Sequence, residues 1–178
     1  MSGLDKKTRD CRIGHLSDII ATNVSILAKA TEMSEQLVID LLGGERVIGA
    51  KVERELDFDE EIKRGFRPQV FVKFKANTKL PNSLLSRVLG VSVRTLDRLV
   101  VLKGAPRIKP AVSDRLYRTA KIVALAEEAL EDLPQALEWL SSKQAGLGGR
   151  VPFDLVETEA GTREVEEELQ RIEHGFLA

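Results

Sequence analysis

Apolar residues recur along most of this chain at the three- and four-residue spacing of a helix face. Between His15 and Ala30, Leu16, Ile20, Val24 and Leu27 form one such stripe among polar residues. A second helix carries Leu37, Val38, Leu41 and Leu42, with Ser34 as its expected cap and Gly43-Gly44 as its stop. From Val47 to Glu55 the periodicity leaves a short extended link and a frayed helix both open. Asp57 is the expected cap of a short helix that stops at Gly65; after Pro68, Val70, Phe71 and Phe74 then share a core-facing stripe while Lys73 and Lys75 point outward.

The stretch from Leu80 to Leu99 predicts helix, turn, helix. Asn82 is the expected N-cap of a helix that buries Leu84, Leu85, Val88 and Leu89; Gly90 permits a left-handed turn; Ser92 caps a second helix expected to face Val93, Leu96 and Val100 inward. From Ser113 to about Leu133 a longer helix follows, with Leu116, Ile122, Val123, Leu125 and Ala126 inside. Pro134 opens the next, which runs to Trp139-Leu140 and is followed by the loop Gly146-Leu147-Gly148-Gly149. Thr162 is the expected cap of a last helix with Val165, Leu169 and Ile172 as its apolar stripe, ending at Gly175. These elements predict an all-α protein.

Composition supports that class. Across 178 residues, 43% are hydrophobic but only 4% aromatic, so the core is expected to be mostly Leu, Val, Ile and Ala. No segment approaches the ~18 consecutive apolar residues of a membrane span, and the start of the chain has no apolar signal region, which together point to the cytoplasm and to no membrane partner. Cys11 is the single cysteine, and with His15 and His174 it makes too few soft ligands for a metal site. The Gly-rich loop lacks a following Lys-Ser/Thr and a preceding strand, so it is no phosphate loop. No cofactor is expected, and no nucleophile paired with a nearby histidine suggests an enzyme.

The net charge of −1 hides three blocks. Residues 1–61 hold 8 Lys/Arg and 13 Asp/Glu, residues 62–121 hold 15 and 2, and residues 122–178 hold 4 and 13, giving −5, +13 and −9. A basic segment whose only acids are Asp97 and Asp114 has the electrostatic footprint of a polyanion site; the alternative is that it faces the acidic ends of this chain or of a second copy. Arg94 and Arg98 lie one turn apart near the start of the second helix of the helix-turn-helix, where a recognition helix carries its base contacts. Ser92, Arg94, Thr95, Arg98, Lys103 and Arg107 are the candidate DNA contacts, with Lys109, Arg115, Arg118 and Lys121 as further backbone candidates or a solvated helix face. Three segments follow: an N-terminal helical region for dimerisation (1–61), a DNA-binding domain (62–121) and an acidic C-terminal domain (122–178). A homodimer is expected because one recognition helix reads too few base pairs.

With the helix-turn-helix and the C-terminal segment taken together, the sequence resembles the Xre/MbcA/ParS family of antitoxins, partners of RES-domain toxins. The resemblance spans roughly residues 41 to 178. It rests on Leu42-Gly43-Gly44, Ile62 and Gly65, Leu89-Gly90-Val91-Ser92 with Arg94-Thr95-Leu96 and Arg98, and Ser113-Asp114-Arg115-Leu116 with Arg118. It continues through Ala136, Trp139-Leu140, Leu147-Gly148-Gly149, Pro152, Asp154-Leu155, Thr158, Gly161, Val165, Leu169, Ile172 and Gly175. Where family members often carry Pro-Asn before the Leu-Gly-Gly loop, this chain has Lys143-Gln144.

The resemblance implies a dimeric antitoxin whose middle domain represses its own operon by binding operator DNA. It further implies that the C-terminal domain covers the active site of a RES-type toxin that consumes NAD or transfers ADP-ribose from it. The candidate toxin contacts are Trp139, Leu147, Arg163, Glu167, Arg171, His174, Phe176, Leu177 and Ala178, with Trp139 and Leu147 packing the domain that presents the apolar end. A stand-alone helix-turn-helix regulator whose C-terminal domain only dimerises is the alternative, distinguished by whether the neighbouring gene encodes a small enzyme.

Overall fold

The computed structural model of the protein describes residues 33–52, 55–101 and 106–175, and these are all-helical, with a lone β-bridge between Gln144 and Arg150. In chain order the helices are α1 (33–41), α2 (Glu45–Ile48), α3 (Glu55–Arg64), α4 (Pro68–Thr78), α5 (Asn82–Leu89) and α6 (Val93–Val101). They continue with α7 (Pro110–Leu130), α8 (Leu133–Ser141), a 3₁₀ turn (Ala145–Leu147), α9 (Pro152–Leu155) and α10 (Glu159–Glu173). From Ser34 onward the chain is one compact unit. The stripe Leu16, Ile20, Val24 and Leu27, with Cys11 and His15, lies outside the described residues.

The 21-residue α7 is the shared spine. It packs on α3, α5, α8 and α10, while α6 lies against α4 and α5. Its inward residues Leu116, Ala120, Ile122, Val123, Ala124 and Ala126 are fully buried. Small alanines let neighbouring helices approach closely, and the bulk comes from elsewhere: Phe58, Phe66, Phe71, Phe74 and Phe153 are all buried to 1% exposure or less. The core is therefore aliphatic with a phenylalanine ballast that the low aromatic content concealed. The boundary expected at residues 121/122 falls inside α7, so the basic and acidic segments share one core.

Several expected helix starts move by a few residues, each for a visible reason. Pro81, extended and without a donor to leave unsatisfied, is the N-cap of α5, so Asn82 is its first residue. Pro110 opens α7 and leaves Ser113 buried inside it, where its Oγ accepts from Phe66 N at 2.8 Å. Thr158, not Thr162, caps α10: its Oγ accepts from Gly161 N at 3.1 Å, and Thr162 is buried with its hydroxyl donating to the Thr158 carbonyl. Ser34 and Asp57 sit within α1 and α3, and the Ser34 hydroxyl donates to the Glu128 carboxylate on α7. Of the ambiguous stretch from Val47 to Glu55, Val47 and Ile48 end a single helical turn, α2, closed by left-handed Gly49, and Glu55 opens α3, while residues 53–54 lie outside the described residues.

On α3, Glu61 is buried at 2% exposure and paired through both carboxylate oxygens. Arg64 Nη1 reaches its Oε1 at 3.0 Å, Arg107 Nη1 reaches its Oε2 at 3.1 Å, and the same Arg107 nitrogen donates to the Gly65 carbonyl at 2.7 Å. A buried carboxylate is tolerated only with such compensation. This brace ties the end of α3 to the segment leading into α7.

Candidate nucleic-acid interface and the acidic C-terminal helix

The helix-turn-helix is built as its sequence demands. Gly90 closes α5 in the left-handed region, φ 65°, and its amide donates to the Arg87 and Ser86 carbonyls. A side chain there would also collide with Arg115 Nη1, which donates to the Leu89 carbonyl at 3.2 Å and so caps α5 from α7. Ser92 caps α6: Thr95 N donates to Ser92 Oγ at 3.2 Å, and the two hydroxyls meet at 2.9 Å. Of the apolar residues on α6, Leu96 is buried and Leu99 partly so. Val93 and Val100, expected inside, are 41% and 46% exposed, because α6 rests on its neighbours along one narrow seam and leaves the rest of its surface free.

Ser92, Arg94, Thr95 and Arg98 are all exposed at the start of α6, so the fold brings together the residues that sequence singled out. The fold also sorts the basic block by partner. Lys63 pairs with Asp59, Arg64 and Arg107 with Glu61, Arg87 with Asp154, Arg118 with Asp114, and Lys121 with Glu166. Arg115 is committed to α5. Arg94 and Arg98 make no ion pair among the described residues, nor do Lys75, Lys79 and Lys109. Arg107, a candidate DNA contact, is exposed and also braces the fold through its Nη1, which donates to Glu61 and to the Gly65 carbonyl. Lys103 lies outside the described residues.

At the other end, α10 carries Val165 and Leu169 against the core and an acidic outer face. Arg163 is held by Glu159 at 2.7 Å, Arg171 by Glu168 at 2.7 Å, and Arg150 by Glu164 at 2.5 Å. Exposed Glu167 and Glu173 make no ion pair among the described residues, so the outward charge is negative. His174 is exposed and closes α10, and Gly175, φ 71°, turns the chain away from the helix axis. Phe176, Leu177 and Ala178 lie outside the described residues. Leu147 is 3% exposed and Trp139 partly buried, both packing this domain. The Lys143-Gln144 departure is accommodated: Gln144 Nε2 donates to the Trp139 carbonyl at 2.7 Å, and the Gln144 carbonyl accepts from Gly149 N at 2.9 Å, closing the loop.

Three features escaped sequence reasoning: the buried Glu61 brace, the Arg87–Asp154 pair joining α5 to α9 at 2.6 Å, and a contact from Asn82 Nδ2 to Asp97 Oδ1 at 2.7 Å across the helix-turn-helix. Only Asp97, one of two acids in a basic block, left a trace in the sequence. No described helix is long and apolar enough to cross a membrane, and no group of metal-ligating side chains occurs among the described residues.

Comparison with known proteins agrees with this geometry. Residues 57–121 match the antitoxin Xre-like helix-turn-helix domain, and residues 125–175 match the antitoxin Xre/MbcA/ParS C-terminal toxin-binding domain. An "Antitoxin Xre" of Yersinia enterocolitica is 32% identical over 134 residues, covering 75% of this chain and 89% of the relative. A protein of the same name from Pseudomonas putida is 39% identical over 64 residues, 36% of this chain and 40% of its own. One from Photorhabdus laumondii is 28% identical over 96 residues, 52% of this chain and 62% of the relative. With these two domains in this order, and all-helical through its described residues, the chain belongs to the Xre/MbcA/ParS family of antitoxins.

Proposed function

We propose that this chain is the antitoxin of a type II toxin-antitoxin pair with two separable activities. Residues 122–178 bind a RES-type toxin, an enzyme that consumes NAD or transfers ADP-ribose from it, and cover its active site. Residues 62–121 bind operator DNA and repress the shared operon. The chain acts as a cytoplasmic homodimer through its N-terminal segment, residues 1–61, without cofactor and without catalysis of its own.

One observation carries this reading: exposed charges of opposite sign stand without an ion pair among the described residues on two helices, Arg94 and Arg98 on α6, and Glu167 and Glu173 on α10. Unpaired arginines on an exposed recognition helix suit bases and phosphates. Exposed carboxylates along and at the end of α10, followed by the apolar Phe176-Leu177-Ala178, suit a pocket lined by arginines for a pyrophosphate, where a carboxylate stands in for phosphate and the apolar segment anchors.

The DNA arm is tested by titrating the full chain against its own upstream DNA. Arg94→Ala and Arg98→Ala should each weaken binding by roughly 5- to 150-fold, the equivalent of ~1–3 kcal/mol, with affinity falling steeply as salt rises. Wild-type affinity in the double variant would remove the recognition helix from the account. The assembly arm is tested by light scattering of the isolated protein at micromolar concentration, where a dimer mass is expected and a monomer mass would refute it.

A further inference from the structure

An acid sits in the middle of the proposed recognition face. Within residues 62–121 there are two, and Asp114 is spoken for by Arg118 on its own helix at 2.8 Å. Asp97 is exposed on α6, three residues after Arg94, one before Arg98 and four before Val101. These four residues line one open groove of about 570 Å³. Neither arginine pairs with Asp97. Its Oδ1 is held instead by Asn82 Nδ2 at 2.7 Å, from the preceding helix. A carboxylate only accepts, so the amide presents its NH₂ to it, and it does so although this leaves the buried Asn82 Oδ1 without a hydrogen-bond partner. One oxygen of Asp97 is thereby held, in a residue that lines the groove and is exposed.

Building on the DNA-binding reading above, we propose that Asp97 is a specificity-determining residue that accepts the exocyclic N4 amino group of a cytosine in the major groove, and that Asn82 is its positioning residue. A carboxylate is an acceptor only, and the major-groove edge of cytosine offers a donor that a carboxylate matches. Against phosphate the same charge repels. Asp97 therefore lowers affinity for DNA in general and recovers it where an amino group stands opposite, which raises the ratio of specific to non-specific binding. Val101, 74% exposed on the same strip, offers an apolar contact for a thymine methyl, and the two arginines suit guanine. Holding the carboxylate in place before DNA arrives removes an ordering cost from the bound state.

The test is selection of binding sites from random duplex DNA with full-length wild type, Asp97→Ala, Asp97→Asn and Asn82→Ala, each confirmed folded by its thermal unfolding, together with affinity for unrelated DNA. Wild type should select a cytosine at one position per half-site, by roughly 5- to 150-fold over other bases. Asp97→Ala should lose that preference alone and bind unrelated DNA several-fold more tightly. Asp97→Asn, nearly isosteric, keeps its oxygen on Asn82 and turns an NH₂ donor to the groove, so it should exchange the cytosine preference for a base that presents an acceptor there. Asn82→Ala should weaken the cytosine preference without the gain on unrelated DNA, a split that loss of a mere structural contact would not give. Unchanged base preferences in both Asp97 variants, or a wild type that binds DNA without selecting a cytosine, overturn the proposal while leaving DNA binding intact. A wild type that binds no DNA overturns both.

Discussion

Replacing Arg107 with alanine separates cations that hold the fold from cations available to DNA. In the folded chain Arg107 Nη1 makes two bonds, to Glu61 Oε2 at 3.1 Å and to the Gly65 carbonyl at 2.7 Å. Its removal leaves Glu61, 2% exposed, with Arg64 alone. A hydrogen bond to a charged group contributes ~1.5–3 kcal/mol. The arginine itself is 41% exposed, so solvent screening places the whole loss within that range rather than at the ~3–5 kcal/mol of a fully buried pair broken on one side. For a chain of this size the midpoint of thermal unfolding should fall by roughly 3–12 °C. Arg94→Ala, exposed and unpaired, should stay within ~0.5 kcal/mol of wild type. Urea titration followed by circular dichroism reads the stability, and fluorescence anisotropy with upstream DNA, at a temperature where both variants are folded, reads the binding. Arg107→Ala should be less stable with near-normal affinity, and Arg94→Ala the reverse. An Arg107→Ala protein with wild-type stability and an affinity as poor as that of Arg94→Ala would refute the sorting of the basic block by internal partners.

Further outcomes follow from the C-terminal half. Gly161→Ala should destabilise by ~1–3 kcal/mol in urea titration, because a Cβ there would collide with the Leu155 carbonyl oxygen on α9; a neutral result would mean that α9 moves aside freely. Thr158→Ala removes the cap of α10 and should cost ~1 kcal/mol, with faster amide exchange in its first turn, whereas unchanged exchange would count against the cap. Glu127 has its pKa raised by burial first, and then by the carboxylates of Asp132 and Asp40. The folded state thus holds this proton more tightly than the unfolded state. The associated stability is present below the ordinary glutamate value of ~4.3 and is lost as pH rises through the raised folded value. Glu127→Gln should therefore raise the thermal midpoint at pH 7 and leave it nearly unchanged at about pH 3.5; an equal shift at both would rule out the ionisation of Glu127 as the cause.

Local signals in the sequence placed the helix-turn-helix closely, because Gly90 and Ser92 dictate their conformations through their own chemistry: a left-handed φ and a hydroxyl that accepts from the third following amide. The same is true of the stop at Gly65 and of Leu96 as the buried residue of α6. Where two candidates compete for one role, periodicity does not decide. Thr158 and Thr162 both look like caps, and the choice depends on the close approach of Gly161 to α9, which is a tertiary fact. Val93 and Val100 look inward-facing by residue type, yet α6 has too few neighbours to cover them. At the candidate site, Arg94 and Arg98 are exposed without an ion pair among the described residues, whereas Arg107 also reaches Glu61, and a charge count cannot show that a cation meets a carboxylate 46 residues earlier in the chain. The Asn82–Asp97 contact, spanning 15 residues, was hidden for the same reason.

The central claim is that DNA binding and toxin neutralisation are separate properties of one chain. It is tested most directly by co-expressing the gene pair with three antitoxins, wild type, Arg94→Ala/Arg98→Ala, and a chain shortened by residues 176–178, while measuring growth, cellular NAD and operon transcription together. The double arginine variant should keep cells growing with normal NAD while transcription rises. The shortened chain should keep transcription low when operator binding is measured alone, yet growth should stop and NAD should fall. If the shortened chain still silences the partner fully, the terminal segment is not the plug; and if the arginine variant represses as wild type does, α6 is not the hand that holds DNA.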